Sequence, residues 1–284
     1  VKEMKVLKFG GTSVGSAQRM KDVAKLIVGE KNLIVLSAMS GTTNSLVEIS
    51  DYLYKKNPDG ANEIINKLSQ KYFGHIDELY ATEEYKEKAR ELVTFHFDHI
   101  RSFTKDLFTL FEEKVVLAQG ELISTGMMNL YLQEQGVNSV LLPALDFMRT
   151  DKNAEPDPVY IKEKLNRLLE ENAGADLYIT QGYICRNAYG EIDNLQRGGS
   201  DYTASLIGAA IKAEEIQIWT DIDGMHNNDP RFVKGTSPVR HLHFEEAAEL
   251  AYFGAKILHP TCILPAKINN IPVRLLNTMQ PDAP

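Results

Sequence analysis

Two short apolar runs limit what this chain can fold into. Residues 4–9 (MKVLKF) and 33–36 (LIVL) each read as a strand, and each ends in a polar loop that opens a helical pattern. The second run is continuous and branched, as expected of a strand buried on both faces of a parallel sheet. Between the two, Ala17, Met20, Val23, Ala24, Ile27 and Val28 recur at helical spacing. Strand signals return at 139–142, 176–185, 216–219 and 272–276, and helical signals at 201–211 and 244–251. Strands alternating with helices predict an α/β fold with a mainly parallel sheet.

Residues 60–120 interrupt this alternation. Glycine and proline nearly vanish there, and charged residues alternate with Leu, Phe and Tyr at helical spacing, so a set of consecutive helices is expected. The segment RNAYGEIDNLQ (186–196) reads as a hairpin or a mobile excursion. It leads to a second glycine turn, QRGGSD, in which Ser200 is the candidate cap of the following helix.

At 284 residues, with 43% hydrophobic and 25% charged residues, the chain has enough material for a sizeable core. A net charge of −8 argues against binding to nucleic acid through phosphate contacts. No apolar run reaches the roughly 18–20 residues that cross a bilayer, and the N-terminus lacks signal-peptide architecture, so neither a membrane nor export is expected. The two cysteines, Cys185 and Cys262, lie far apart, outside any CxxC spacing. They read as buried small apolar residues of a reducing cytoplasm.

The chemistry is concentrated in four polar loops that follow strands: 10–16, 37–44, 196–201 and 220–224. In open α/β sheets ligands bind beyond the carboxyl ends of the strands, so these loops are expected to converge. Two of them are Gly-Gly pairs feeding a helix N-terminus, where free N–H groups and the helix dipole favour anions. The first does not fit the common phosphate loop, in which lysine follows the glycines. Here Lys8 precedes Gly10 and Gly11, while Ser16 and Ala17 stand where the lysine and hydroxyl would be. No G-x-G-x-x-G follows a strand, which disfavours a dinucleotide oxidoreductase.

KFGGTSV (8–14), SAMSGTTN (37–44), GE (120–121), QRGGSDYTA (196–204), IWTDIDG (218–224), NDPR (228–231) and FGAKILHP (253–260) occur in this order. Together they resemble the catalytic domain of aspartate kinases, within the amino acid kinase superfamily. The resemblance implies a three-layer sandwich around the mainly parallel sheet, with residues 60–120 as a helical insert. It further implies one catalytic domain over 1–276, its N-terminal part holding the amino acid and its C-terminal part ATP. The polar tail 277–284 would then begin a linker to an absent regulatory region, through which the full-length protein would form a homo-oligomer.

The implied reaction carries the γ-phosphoryl group of ATP to the side-chain carboxylate of L-aspartate. That carboxylate, with an ordinary pKa of about 3.9, is ionised at neutral pH and needs no general base. The site should instead be rich in cations and N–H donors. Carried over by motif, Lys8 meets the transferring group, Gly10 and Gly11 cradle it, and Asp201 orients the lysine. Arg197 fits the substrate α-carboxylate and Glu121 its α-ammonium, with Thr43 and Ser200 as further substrate contacts. For Glu121 the bland alternative is a first-turn helix glutamate. Thr220, Asp221, Arg231 and Lys256 match positions around ATP. His226 stands where the family often has tyrosine. Mg²⁺ is expected with ATP, held mainly by phosphates, and no protein metal ligand is assigned. Another amino acid kinase, acting on acetylglutamate or glutamate, and a nucleotide-binding regulatory module without turnover remain the alternatives.

Overall fold

The computed structural model describes residues 4–105, 107–196, 198–220, 225–226, 238–239, 241–242, 258 and 260–278. The helix expected over 244–251 and residues 221–224 of the fourth polar loop lie outside these residues.

The first strand, β1 (Lys5–Phe9), is followed by helix α1 (Ala17–Ile27), whose apolar stripe is buried and whose first turn is capped by Ser16 accepting from the Arg19 N–H at 3.2 Å. Strand β2 (Leu33–Leu36) is buried at all four positions, as the unbroken apolar run requires. Four helices follow: α2 (Thr42–Tyr54), α3 (Pro58–Leu79), α4 (Glu83–Ser102) and α5 (Leu110–Glu134). Each of the last three starts on a sequence-encoded stop. Asn57 caps α3 with Pro58 behind it, Thr82 caps α4 ahead of Glu83 and Glu84, and the Glu112 carboxylate of α5 reaches back to the Thr109 N–H at 3.3 Å. The helical run is therefore longer than residues 60–120, extending from Thr42 to Glu134 with short breaks.

Beyond it come β3 (Ser139–Leu141), a one-turn helix α6 (Ala144–Phe147) and α7 (Pro158–Glu171). The apolar stretch 176–185 is not one strand. It divides into β4 (Leu177–Gln181) and β5 (Ile184–Arg186), because Tyr183 between them turns into left-handed backbone at φ 73°. The expected hairpin is present, with β5 pairing antiparallel to β6 (Ile192–Asn194). The chain continues through α8 (Gly199–Ile211) and β7 (Glu215–Thr220), the two-residue strands β8 (Met225–His226), β9 (Pro238–Val239) and β10 (His241–Leu242), then α9 (Pro260–Ile268) and β11 (Val273–Asn277).

The central sheet has the order β10-β11-β7-β1-β2-β4-β3, parallel throughout except for the edge strand β10. Alternate side chains divide the core in two. Leu7, Phe9, Ile34, Leu36, Leu177 and Ile179 face α1 to α5, whereas Val6, Leu33, Val35, Ile216, Ile218 and Leu275 face α6 to α9. Helix layers thus cover both faces, giving an α/β sandwich of three layers. Both cysteines are buried, and neither is in a disulfide. Among the described residues no helix is long and apolar enough to cross a membrane.

Candidate active site

Strand parity sets the position of Lys8. Leu7 and Phe9 enter one core and Val6 the other, so Lys8 shares Val6's face and meets α8. It is buried, and a buried ammonium requires a partner. Lys8 Nζ lies 2.8 Å from Asp201 Oδ1, in the first turn of α8. The same ammonium hangs over the glycine turn, since a Cβ added to Gly10 would come within 3.5 Å of Lys8 Nζ. Gly11 admits no side chain at all, because its Cβ would stand 2.9 Å from the Ala38 carbonyl oxygen. That close approach knits the first two loops together. Ser40 N–H donates to the Gly11 carbonyl at 3.0 Å and Ser37 N–H to the Phe9 carbonyl at 3.2 Å.

The third loop joins them through a pair of hydroxyls, Ser37 Oγ and Ser200 Oγ, 2.7 Å apart. Ser200 is not the helix cap. Gly198, in left-handed backbone at φ 70°, occupies the N-cap position without a side-chain bond, which leaves the Ser200 hydroxyl free to bridge the loops. A side chain at Gly198 would also meet the sulfur of Cys262 in α9. Thr220 ends β7 in the same layer, and its carbonyl accepts from Thr278 N–H at 2.7 Å.

A cavity of about 350 Å³ opens between these loops. It is lined by Gly11, the 37–41 loop, Thr43, Glu121, Tyr183, Gly199 and Ser200. Thr43 sits in the first turn of α2, which begins at Thr42, earlier than the polar loop 37–44 suggested. Glu121 is delivered from the middle of α5 rather than from a first turn. The close packing of Gly120 on Ala38, where a Cβ would fall 2.9 Å from the alanine methyl, holds that helix against the loop. Glu121 is 4% exposed, and its Oε2 has no hydrogen-bond partner among the described residues. Burial pushes its carboxyl up to about 8, with the N–H groups of Glu121 and Ala38 pulling only partly the other way. An unpaired carboxylate oxygen facing a cavity is a place for a cation or an N–H donor from outside.

Lys8, Gly10, Gly11, Thr43, Glu121, Ser200 and Asp201 are therefore brought together around one cavity or its rim. Arg197, Asp221, Arg231 and Lys256 lie outside the described residues. His226 is described only as backbone of β8, paired with Pro238. Sequence reasoning did not single out Tyr183 or Ser37. The first stands in a backbone conformation with no tyrosine signature, and the second was only one of several loop hydroxyls. His96 gives its Nδ1 to Gln119 Oε1 at 2.7 Å, and His99 packs on Phe103, so neither faces the cavity. Two other hollows, of about 340 Å³ beside α7–α9 and about 470 Å³ beside α2, residues 103–105 and residues 107–108, gather no such set of glycine turns and paired charges. Chemistry rather than size singles out the cavity at the strand ends.

A parallel sheet with one glycine turn after β1, a second after the β5–β6 hairpin, a buried lysine between them and an unpaired carboxyl oxygen opposite is the arrangement of a three-layer α/β protein with its site at the strand ends. The chain belongs to the amino acid kinase family, whose model matches residues 3–277. It is 36% identical to chloroplastic aspartokinase 3 of Arabidopsis thaliana over 98% of this chain and 52% of that protein. It is 34% identical to lysine-sensitive aspartokinase 3 of Escherichia coli K12 over 99% of this chain and 63% of that one. The structure of E. coli aspartokinase III in complex with aspartate and ADP superposes with a TM-score of 0.86 at 33% identity, covering 99% of this chain and 63% of that one. The chain thus spans between half and two thirds of the length of these relatives.

Proposed function

We propose that this chain is the catalytic unit of an aspartate kinase, transferring the γ-phosphoryl group of ATP to the side-chain carboxylate of L-aspartate to give 4-phospho-L-aspartate. The observation that carries the reading is the Lys8–Asp201 pair at 2.8 Å, set against the glycine turn and across the loops from the unpaired oxygen of Glu121. The relatives named above, one of them holding aspartate and ADP, support it.

In this reading the loops after β1 and β2 and the middle of α5 hold the amino acid, and the C-terminal part of the sheet holds the nucleotide. Two anions must meet, so the residues supply positive charge and fixed geometry rather than a base. Lys8 neutralises the phosphoryl oxygens while the N–H groups around Gly10 and Gly11 cradle them. Asp201 keeps the lysine aimed. Glu121 accepts the substrate α-ammonium, which satisfies its open oxygen. Thr43 and Ser200 contact the substrate, and Arg197 takes its α-carboxylate. Thr220, Asp221, His226, Arg231 and Lys256 are assigned to the nucleotide. Among the described residues no group of three or more His, Cys, Asp or Glu could hold a metal ion. Mg²⁺ is expected to come with ATP, held mainly by phosphate oxygens and water, where it would lower the charge barrier.

The acyl phosphate product reacts with hydroxylamine, which makes the test direct. The protein is incubated with MgATP, hydroxylamine and L-aspartate, L-glutamate or N-acetylglutamate. Hydroxamate from aspartate, and none from Lys8→Ala, is expected. Hydroxamate from glutamate or N-acetylglutamate instead would replace the acceptor, and nucleotide binding without any hydroxamate would sink the kinase reading.

A further inference from the structure

Tyr183 is one of five non-glycine residues with positive φ among the described residues, and it alone of the five lines the cavity. Left-handed backbone disfavours any residue with a Cβ, and a bulky aromatic there is uncommon. Such strain persists only where the surroundings over-determine it, and it clusters at ligand sites. Here the surroundings do so from both sides. The Tyr183 N–H donates to Thr203 Oγ1 at 2.9 Å, and the Tyr183 carbonyl accepts from Leu195 N–H at 2.8 Å. Thr203 in turn donates to the Gly199 carbonyl at 3.1 Å, tying the turn to the start of α8. On the other flank Gly182 is pressed against the same turn, since its Cβ would fall 2.5 Å from Ser200 Oγ.

The ring packs against the core on the α6–α9 side and faces the start of α8, its Cδ2 lying 3.4 Å from where a Gly199 Cβ would be. Burial, then the charge of Glu121, then Asp193, Cys185 and Glu113, push the phenol up to about 12, so it stays neutral at physiological pH. A rigid, uncharged aromatic wall thus stands in the cavity between the Glu121 end and the first turn of α8.

We infer that Tyr183 is a specificity-determining residue of the acceptor subsite, the fixed wall that limits the length of an amino acid reaching from Glu121 to the turn at Gly10 and Gly11. This rests on the acceptor reading given above and adds to it the residue that excludes longer acceptors. A flexible side chain on relaxed backbone would yield to an additional methylene. A ring carried on strained backbone that Thr203 and Leu195 hold on both sides cannot, so the longer acceptor must leave one of its ends unpaired. One methylene in a closely fitting pocket is worth a discrimination of roughly 10- to 200-fold.

L-Aspartate, L-glutamate and ADP are titrated calorimetrically into the intact chain and into Tyr183→Phe, Tyr183→Ala and Tyr183→Gly, with hydroxamate formation followed separately. The wild type is expected to prefer aspartate by about 10-fold or more, and Tyr183→Phe, which keeps the ring, to retain that preference. Tyr183→Ala should bring the ratio below about 3-fold with ADP affinity within about 2-fold, and Tyr183→Gly, which also relieves the backbone, should match it. An aspartate-to-glutamate ratio in Tyr183→Ala within about 2-fold of the wild type overturns the assignment. So does a parallel loss of aspartate, glutamate and ADP binding, which would make the ring purely structural. A wild type that binds neither amino acid removes this inference together with the acceptor reading. Aspartate binding without hydroxamate removes only the kinase reading, and the ratio still decides Tyr183.

Discussion

Glu121 offers a test in which stability and binding move in opposite directions. Its carboxyl is raised from the ordinary 4.5 to about 8 because burial penalises the charged form. The folded protein therefore binds this proton more tightly than the unfolded chain does. No penalty exists below about pH 4.5, and stability is lost as pH climbs through about 8. A shift of that size corresponds to on the order of 4–5 kcal/mol by pH 9, and to less than about 1 kcal/mol at pH 5. Glu121→Gln keeps the shape and an acceptor for the Ala38 N–H but can never carry the charge. Urea unfolding at pH 5, 7 and 9 should find the variant close to wild type at pH 5 and more stable by roughly 3–5 kcal/mol at pH 9. L-Aspartate should reverse the order. Its ammonium supplies the missing partner, so it should stabilise the wild type, increasingly as pH rises from 6 to 8, and leave Glu121→Gln unmoved. A stability difference that is flat between pH 5 and 9 would refute the buried, unpaired carboxylate. Equal stabilisation of both proteins by aspartate would refute its role toward the ammonium.

Three further outcomes are expected. Asp201→Asn removes the charge that holds Lys8, so kcat should fall by about 100-fold while KM for aspartate changes little, as read by steady-state ADP release. Gly198→Ala drives a methyl into the Cys262 sulfur and adds left-handed strain, so Tm should drop sharply. Adding Cys262→Ala should restore part of that loss, and the non-additive cycle is the readout. Phe97→Ala empties a fully buried site in the helical layer and should cost about 3–5 kcal/mol in urea unfolding.

Much of this was legible in the residues. The run 33–36 is strand β2 to the residue, because a strand buried on both faces leaves an unbroken apolar mark. Lys8 stood out because a lysine stands just before the glycine turn that follows β1. The meeting of the loops after β1 and β2 followed from parallel strands, whose carboxyl ends must share one edge; residues 221–224 of the fourth loop lie outside the described residues. What was hidden depended on contacts distant in sequence. Glu121 could pass for a first-turn glutamate because α5 is apolar on nearly all sides and shows no stripe to reveal where it starts. Ser200 reads as a cap by residue type, yet glycine at 198 already turns the chain, and only the folded loops show the hydroxyl meeting Ser37. Tyr183 gives no local signal, because its left-handed backbone is imposed by Thr203 and Leu195 from later in the chain.

The pairing of β1 with β2 has a consequence for distance. Lys8 is in register with Val35 and Phe9 with Leu36, so the first two loops leave adjacent strands at the same level. Neighbouring strands stand about 4.8 Å apart, a spacing set by peptide hydrogen bonds and indifferent to side-chain choice. In the proposed reaction, the gap between the cradle for the donor group and the loop beside the acceptor would therefore be ruled by a backbone gauge. Substitution around the cavity can change which molecule enters, but the stride between the two loops would change only with a slip in strand register, which would turn every core side chain of β1 or β2 to the wrong face.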